Sequence, residues 1–86
     1  MKGGGTMYTA KVLLEDVVGA KEFVSLCNEM DFKVELISGP YIIDAKSIMG
    51  IFSLDLSEPI ELQAHCRDEA AFLRFKDRIE KFLIKE

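Results

Sequence analysis

The chain has 86 residues, 49% of them hydrophobic and 30% charged; this is an ordinary globular balance that leaves no room for a second core and argues against disorder. Eleven Lys and Arg stand against fifteen Asp and Glu, a net charge of −4 at pH 7, so electrostatic capture of nucleic acid or of an anionic membrane is disfavoured. No apolar run approaches the roughly 18 residues that span a bilayer, and the first six residues lack the apolar stretch of a signal peptide, so a cytoplasmic location is expected.

Residues 1–7, with Gly3, Gly4 and Gly5 in a row, read as a flexible leader or a fusion scar, and a single domain is expected over residues 8–86. Tyr8 to Leu14 is mostly β-branched, aromatic or apolar and predicts a first strand. Asp16 then precedes a helical stretch from Val17 to Asn28, in which Ala20, Phe23, Val24 and Cys27 recur at three- and four-residue spacing as one apolar stripe. Asp16 is a good N-cap by type, because its carboxylate can accept an otherwise unpaired backbone N–H and complement the helix dipole. Phe32 to Ser38 alternates as a second strand, Ser38-Gly39-Pro40 is a turn cluster, and Tyr41 to Asp44 returns as a third strand, making a hairpin.

Ser47 precedes a short apolar run and reads as the N-cap of a helix of about two turns. Glu58-Pro59 breaks the chain, and Ile60, Leu62 and Ala64 alternate with Glu61, Gln63 and His65 in a fourth strand. From Asp68 to about Ile84 the residues Phe72, Phe75, Ile79, Phe82 and Leu83 line one face of the clearest helix. Strand, helix, strand, strand, helix, strand, helix is the order of an α+β open-faced sandwich: a four-stranded antiparallel sheet with three helices on one face. Cys27 and Cys66 are expected as buried thiols, and one histidine without a paired-cysteine motif predicts neither a metal site nor another cofactor.

This element order fits two families. A ligand-sensing module of the ACT type would use the loop from Glu15 to Gly19 before the first helix. The HPr family of the bacterial sugar phosphotransferase system is favoured by one segment, Lys46-Ser47-Ile48-Met49-Gly50-Ile51-Phe52-Ser53-Leu54. It closely resembles the HPr regulatory-serine signature, and it stands where that family carries it, after the hairpin and before the fourth strand. The resemblance runs over roughly Tyr8 to Lys85 and rests outside this segment on element order. It implies that Ser47 is a phosphorylation site for an HPr-type serine kinase/phosphatase, that Ile48, Met49 and Phe52 contact protein partners, and that the chain is not an enzyme. Those partners would be a transcriptional regulator or other phosphotransferase-system proteins.

The phosphocarrier motif of the family is missing. It places a histidine at the N-cap of the first helix, followed by Ala-Arg-Pro, so that a neutral imidazole attacks phosphorus while the arginine and the helix N-terminus hold the phosphoryl charge. Counted back from Ser47 without gaps, Asp16 takes the histidine position, Val18 the arginine position and Gly19 the proline position. His65 belongs to the far end of the fourth strand and reads as a solvated strand-end residue. The expectation is therefore a degenerate member, resembling the Crh branch that lacks the histidine and keeps the serine. Its rivals are an active phosphocarrier with its acceptor elsewhere, and an interaction scaffold that pairs with itself or another protein.

Overall fold

The computed structural model describes residues 6–84. Its elements are β1 (Thr6–Val12), α1 (Val17–Asn28), β2 (Lys33–Ser38), β3 (Tyr41–Asp44), α2 (Ile48–Phe52), β4 (Ile60–Cys66) and α3 (Glu69–Arg78), followed by a 3-10 turn at Glu80–Phe82. The four strands form one antiparallel sheet in the spatial order β1-β4-β2-β3. In β4 Ile60, Leu62, Ala64 and Cys66 are buried, while Glu61, Gln63 and His65 point to the other face. Residues of all three helices join the buried strand positions in one core that includes Phe23, Ile51, Leu62 and Phe75. The sheet thus keeps one face under helices and the other open, as its alternation dictates.

Several boundaries differ from the sequence expectation, each for a local reason. β1 covers Thr6–Val12 rather than Tyr8 to Leu14. Leu14 is in the core, yet the backbone leaves the ladder there, because Asp16 N–H turns back onto the Leu14 carbonyl at 2.9 Å. Thr6 and Met7 pair with Cys66 and His65, so the strand takes up the last two residues of the expected leader; the rest of that leader lies outside the described residues. β2 starts at Lys33, since Phe32 is turned edge-on against Phe75 in the core, with ring centres 5.5 Å apart. The second helix has five residues, shorter than two full turns.

The largest difference is the last helix, which ends at Arg78 instead of near Ile84. Ile79 leaves helical geometry at φ −108°, ψ 19°, and Leu83 bridges to Val12 on the outer edge of β1. Leu13 N–H donates to the Phe82 carbonyl at 2.8 Å, and Ile84 N–H to the Lys11 carbonyl at 2.9 Å. The chain end exchanges one more helical turn for ladder bonds that β1 would otherwise leave unmade. Phe82 stays buried, edge-on to Phe23. Its spacing continued the helical stripe, but a different backbone delivers it to the same core.

His65 stands near the end of β4 with its side chain 38% exposed, and it gains a partner that the sequence did not suggest. It lies one residue inside the end of β4, and its Nε2 is 2.9 Å from Glu35 Oε1, with Lys33 Nζ 3.4 Å from the other carboxylate oxygen. The hydrogen bond to His65, aided by Lys33, holds the Glu35 carboxyl below its usual range against partial burial, which pushes the other way. A carboxylate whose folded pKa is depressed stabilises the fold above its ordinary pKa and loses that contribution as pH falls through the folded value. Glu35→Gln is expected to be slightly less stable than the parent at pH 7, by under about 1 kcal/mol, and the two should converge between about pH 5 and pH 3. Urea unfolding across that range checks this, and a pH-independent gap would refute it.

Candidate functional site

The segment entering α1 is shaped by a single uncommon residue. Glu15 adopts a left-handed backbone with φ 75°, which is unfavourable for a side chain with a Cβ. Its N–H donates to the Leu56 carbonyl at 2.8 Å, so the loop after α2 is bonded to the residue that reverses the chain. Asp16 follows with extended φ −156°, and its Oδ1 accepts the N–H of Gly19 at 2.9 Å, while Ala20 N–H takes the Asp16 carbonyl. Asp16 is thus a working N-cap, as its residue type predicts. A proline at position 19 would have no N–H to donate, so this cap depends on a residue there that keeps its backbone N–H. Val17 and Val18 are exposed in the first turn, Val18 by 74%.

A second cap starts α2. Asp44 accepts the N–H of Lys46 through Oδ1 at 2.9 Å and the N–H of Ser47 through its carbonyl at 3.0 Å, which sets the turn. Ser47 Oγ accepts the N–H of Gly50 at 3.3 Å. Gly50 is required by close approach: a Cβ there would lie 2.9 Å from Ile43 Cγ2, because the short helix rests directly on β3. Lys46 reaches back and donates Nζ to the Met30 carbonyl at 2.9 Å. Asn28, at the end of α1, donates through Nδ2 to the carbonyls of Val24 and Lys46, at 2.9 and 3.2 Å. Ile51 is fully buried as the anchor of α2, Ile48 is half-buried, and Met49 and Phe52 project outward, 76% and 39% exposed.

Ser47, Ile48, Met49 and Phe52 therefore share one short helix and its cap, with the Ser47 side chain at the surface. Asp16 caps the opposite end of α1 from Asn28, which is tied to Lys46, so the two caps are separated by the length of α1. His65 is not brought to either. Val12 pairs with Ile60 and Met7 with His65, so the imidazole sits about 17 Å along the sheet from the end of β1 that leads to Asp16. Lys21, the first basic residue after Asp16, follows a full turn later and is exposed. The thiols are unsuited to nucleophilic work: burial pushes Cys27 up to about 12 and also raises Cys66.

Three features of this region had no sequence signal strong enough to find them. Glu15 is not a residue type that announces a left-handed turn. The tethers from Lys46 and Asn28 depend on α1 and α2 lying side by side, and the exposure of Val17 and Val18 depends on what α1 packs against. Only the caps were legible, from side-chain type and position.

The comparisons with known proteins agree on one family. The PTS-HPr family model, described as the PTS HPr component phosphorylation site, matches residues 18–83. The match thus begins two residues after Asp16. Among solved structures, the chain is similar to HPr-C-His from Thermoanaerobacter tengcongensis at 26% identity, covering 88% of this chain and 92% of that one, with a TM-score of 0.67. It also shares the fold of a phosphocarrier protein HPr from Bacillus anthracis str. Ames, at 23% identity over 86% of this chain and 98% of that one, with a TM-score of 0.63. No curated protein sequence matches it.

Proposed function

The chain belongs to the HPr component family of the phosphotransferase system, and from that premise we propose that it carries no phosphohistidine and works as a regulatory or binding domain switched by phosphorylation of Ser47. The observation that carries this reading is the Asp16 cap. A phosphocarrier needs a neutral nitrogen nucleophile at the head of the first helix and a cation beside it. Here the position holds a carboxylate already bonded to Gly19 N–H, with aliphatic Val17 and Val18 after it. The chain's single histidine is engaged with Glu35 at the other end of the sheet.

Ser47 supports the second half of the proposal. Its side chain is exposed at a cap, so a kinase can approach it from solvent. The Oγ would attack the γ-phosphorus of ATP, forming the new O–P bond as ADP departs with the electrons of the old one, and the hydroxyl proton would pass to a base of the kinase. The product gains nearly two negative charges beside backbone N–H groups that can accept them, changing the surface next to Ile48, Met49 and Phe52 without entering the core. In this reading the kinase is of the HPr-serine type, and the partners are proteins that read the α2 surface, with no small-molecule cofactor.

Incubation with an HPr-type serine kinase and ATP, read by intact mass, is expected to add one phosphate, and Ser47→Ala is expected to add none. Absence of phosphate on the parent chain would remove the switch. Incubation with phosphoenolpyruvate and the first enzyme of the system is expected to leave the chain unlabelled; acid-labile phosphate would restore the phosphocarrier reading.

A further inference from the structure

We propose that the outer edge of β3 recognises a second copy of the chain: two β3 strands pair antiparallel about a two-fold axis at Ile42, joining the two sheets into one. This pairing needs no phosphate on Ser47. An open sheet has two edges, each a row of backbone groups that can take another strand. The chain end covers the β1 edge, through Leu83 against Val12 and the bonds that link Leu13 to Phe82 and Ile84 to Lys11. No segment among the described residues pairs with the other edge, which is β3. One bond fixes which of its groups face outward. Ala45 N–H donates to the Val34 carbonyl at 2.9 Å, one step beyond the Glu35–Asp44 pair. By alternation, Tyr41 and Ile43 turn their backbone groups toward β2, and Ile42 and Asp44 turn theirs to solvent.

The groups left on that edge are complementary to themselves. Pairing centred on Ile42 sets Ile42 against Ile42, Tyr41 against Ile43, and Asp44 against Pro40. The two Ile42 residues exchange N–H and carbonyl bonds. Tyr41 N–H faces β2, so the Pro40 carbonyl, trans to it across the peptide plane, faces outward and can accept Asp44 N–H of the second copy. A foreign strand would ordinarily bring an N–H to this position too, where the Asp44 carbonyl already accepts Ser47 N–H at 3.0 Å. Pro40 has no N–H to leave unpaired, so the chain's own strand suits the edge better than a generic one. The side chains agree. Tyr41 and Ile42 are 65% and 63% exposed. Pairing lays Ile42 beside its copy, extending the row that Ile37 begins on the open face, and sets each Tyr41 against Ile43 of the second copy. Asp44 is the one charged residue of β3, and the two copies of it fall about 13 Å apart along the strands, beyond the Debye length at physiological salt.

Sedimentation equilibrium and residue-resolved hydrogen exchange on the full unphosphorylated chain test this between about 10 μM and about 1 mM, the range that suits so small an interface. A dimer is expected at the upper end. Exchange at the Ile42 and Asp44 amides should slow as concentration rises, while the inward amides of Tyr41 and Ile43 keep the same rates. Ile42→Lys sets two cations side by side across the axis and is expected to weaken association about tenfold or more, whereas Ile42→Val should retain it. Position 42 is exposed, and unchanged amide dispersion elsewhere confirms that both variants fold. A chain that stays monomeric at the highest concentration would overturn the proposal. So would self-association that leaves Ile42 and Asp44 exchanging freely, or that survives Ile42→Lys. A proline-free extended peptide of alternating valine and threonine, added to dilute chain, is expected to protect these two amides less than self-pairing does; stronger protection would overturn the choice of a second copy. No kinase takes part, so failure of Ser47 to accept phosphate leaves the result readable.

Discussion

Gly19→Ala is expected to destabilise the fold by about 3 kcal/mol and lower the thermal midpoint by roughly 15 °C. A Cβ at position 19 would lie 2.2 Å from the Leu14 carbonyl oxygen and 3.3 Å from its carbon, and both are backbone atoms that cannot rotate away. Relief requires either moving α1 off the chain reversal or opening the turn at Glu15, which is already held in a left-handed conformation and bonded to Leu56. Moving α1 would also break the Asp16 cap, since the capped N–H belongs to Gly19 itself. The ordinary expectation for a glycine in the first turn of a helix is the reverse, a gain of up to about 1 kcal/mol on replacement by alanine. The sign of the change in urea or thermal unfolding therefore tests the geometry: a stabilised Gly19→Ala variant would show that the helix does not approach Leu14 as described.

Phe23→Ala should be the most damaging core substitution, with a loss of about 4 kcal/mol. Phe23 is fully buried on α1 and meets Phe82 edge-on, ring centres 5.5 Å apart at 84°. A domain of this length has a total stability of roughly 4–13 kcal/mol, so the loss removes a third or more of it. The effect should also be directional. Phe82 is the residue that seats the terminal segment against β1, and removing its partner should loosen the bonds from Leu13 N–H to the Phe82 carbonyl and from Ile84 N–H to the Lys11 carbonyl. Hydrogen exchange at Leu13 and Ile84 is expected to accelerate more than exchange in β4. Phe23→Leu, which keeps most of the volume, is expected to cost about 1.5 kcal/mol. Uniform acceleration across the sheet would show that the terminal segment is not seated through this ring pair.

The two caps show how far residue type can be read into function. Asp16 and Ser47 each accept the N–H three residues on, as their positions ahead of apolar runs imply. Asp16 and Gly19 look unrelated in the sequence. In the folded chain they are one arrangement, because the Asp16 carboxylate is satisfied by the Gly19 N–H. The Ser47 signature likewise contains a glycine whose reason appears only when α2 is seen resting on Ile43.

Alternation of period two in β4 and of period 3.6 in α1, together with turn residues between them, determined the element order, the antiparallel sheet and the membership of the core before any coordinates, because those patterns follow from which side chains must leave water. The same patterns carry no information on which backbone delivers a buried side chain. The tertiary structure alone decided that Phe82 reaches the core from a 3-10 turn laid on the edge of β1, that Glu15 reverses the chain in a left-handed conformation, and that His65 faces Glu35 far from Asp16. These outcomes depend on unpaired strand edges, close backbone approaches and cross-strand neighbours, and such contacts arise between segments that are distant in sequence.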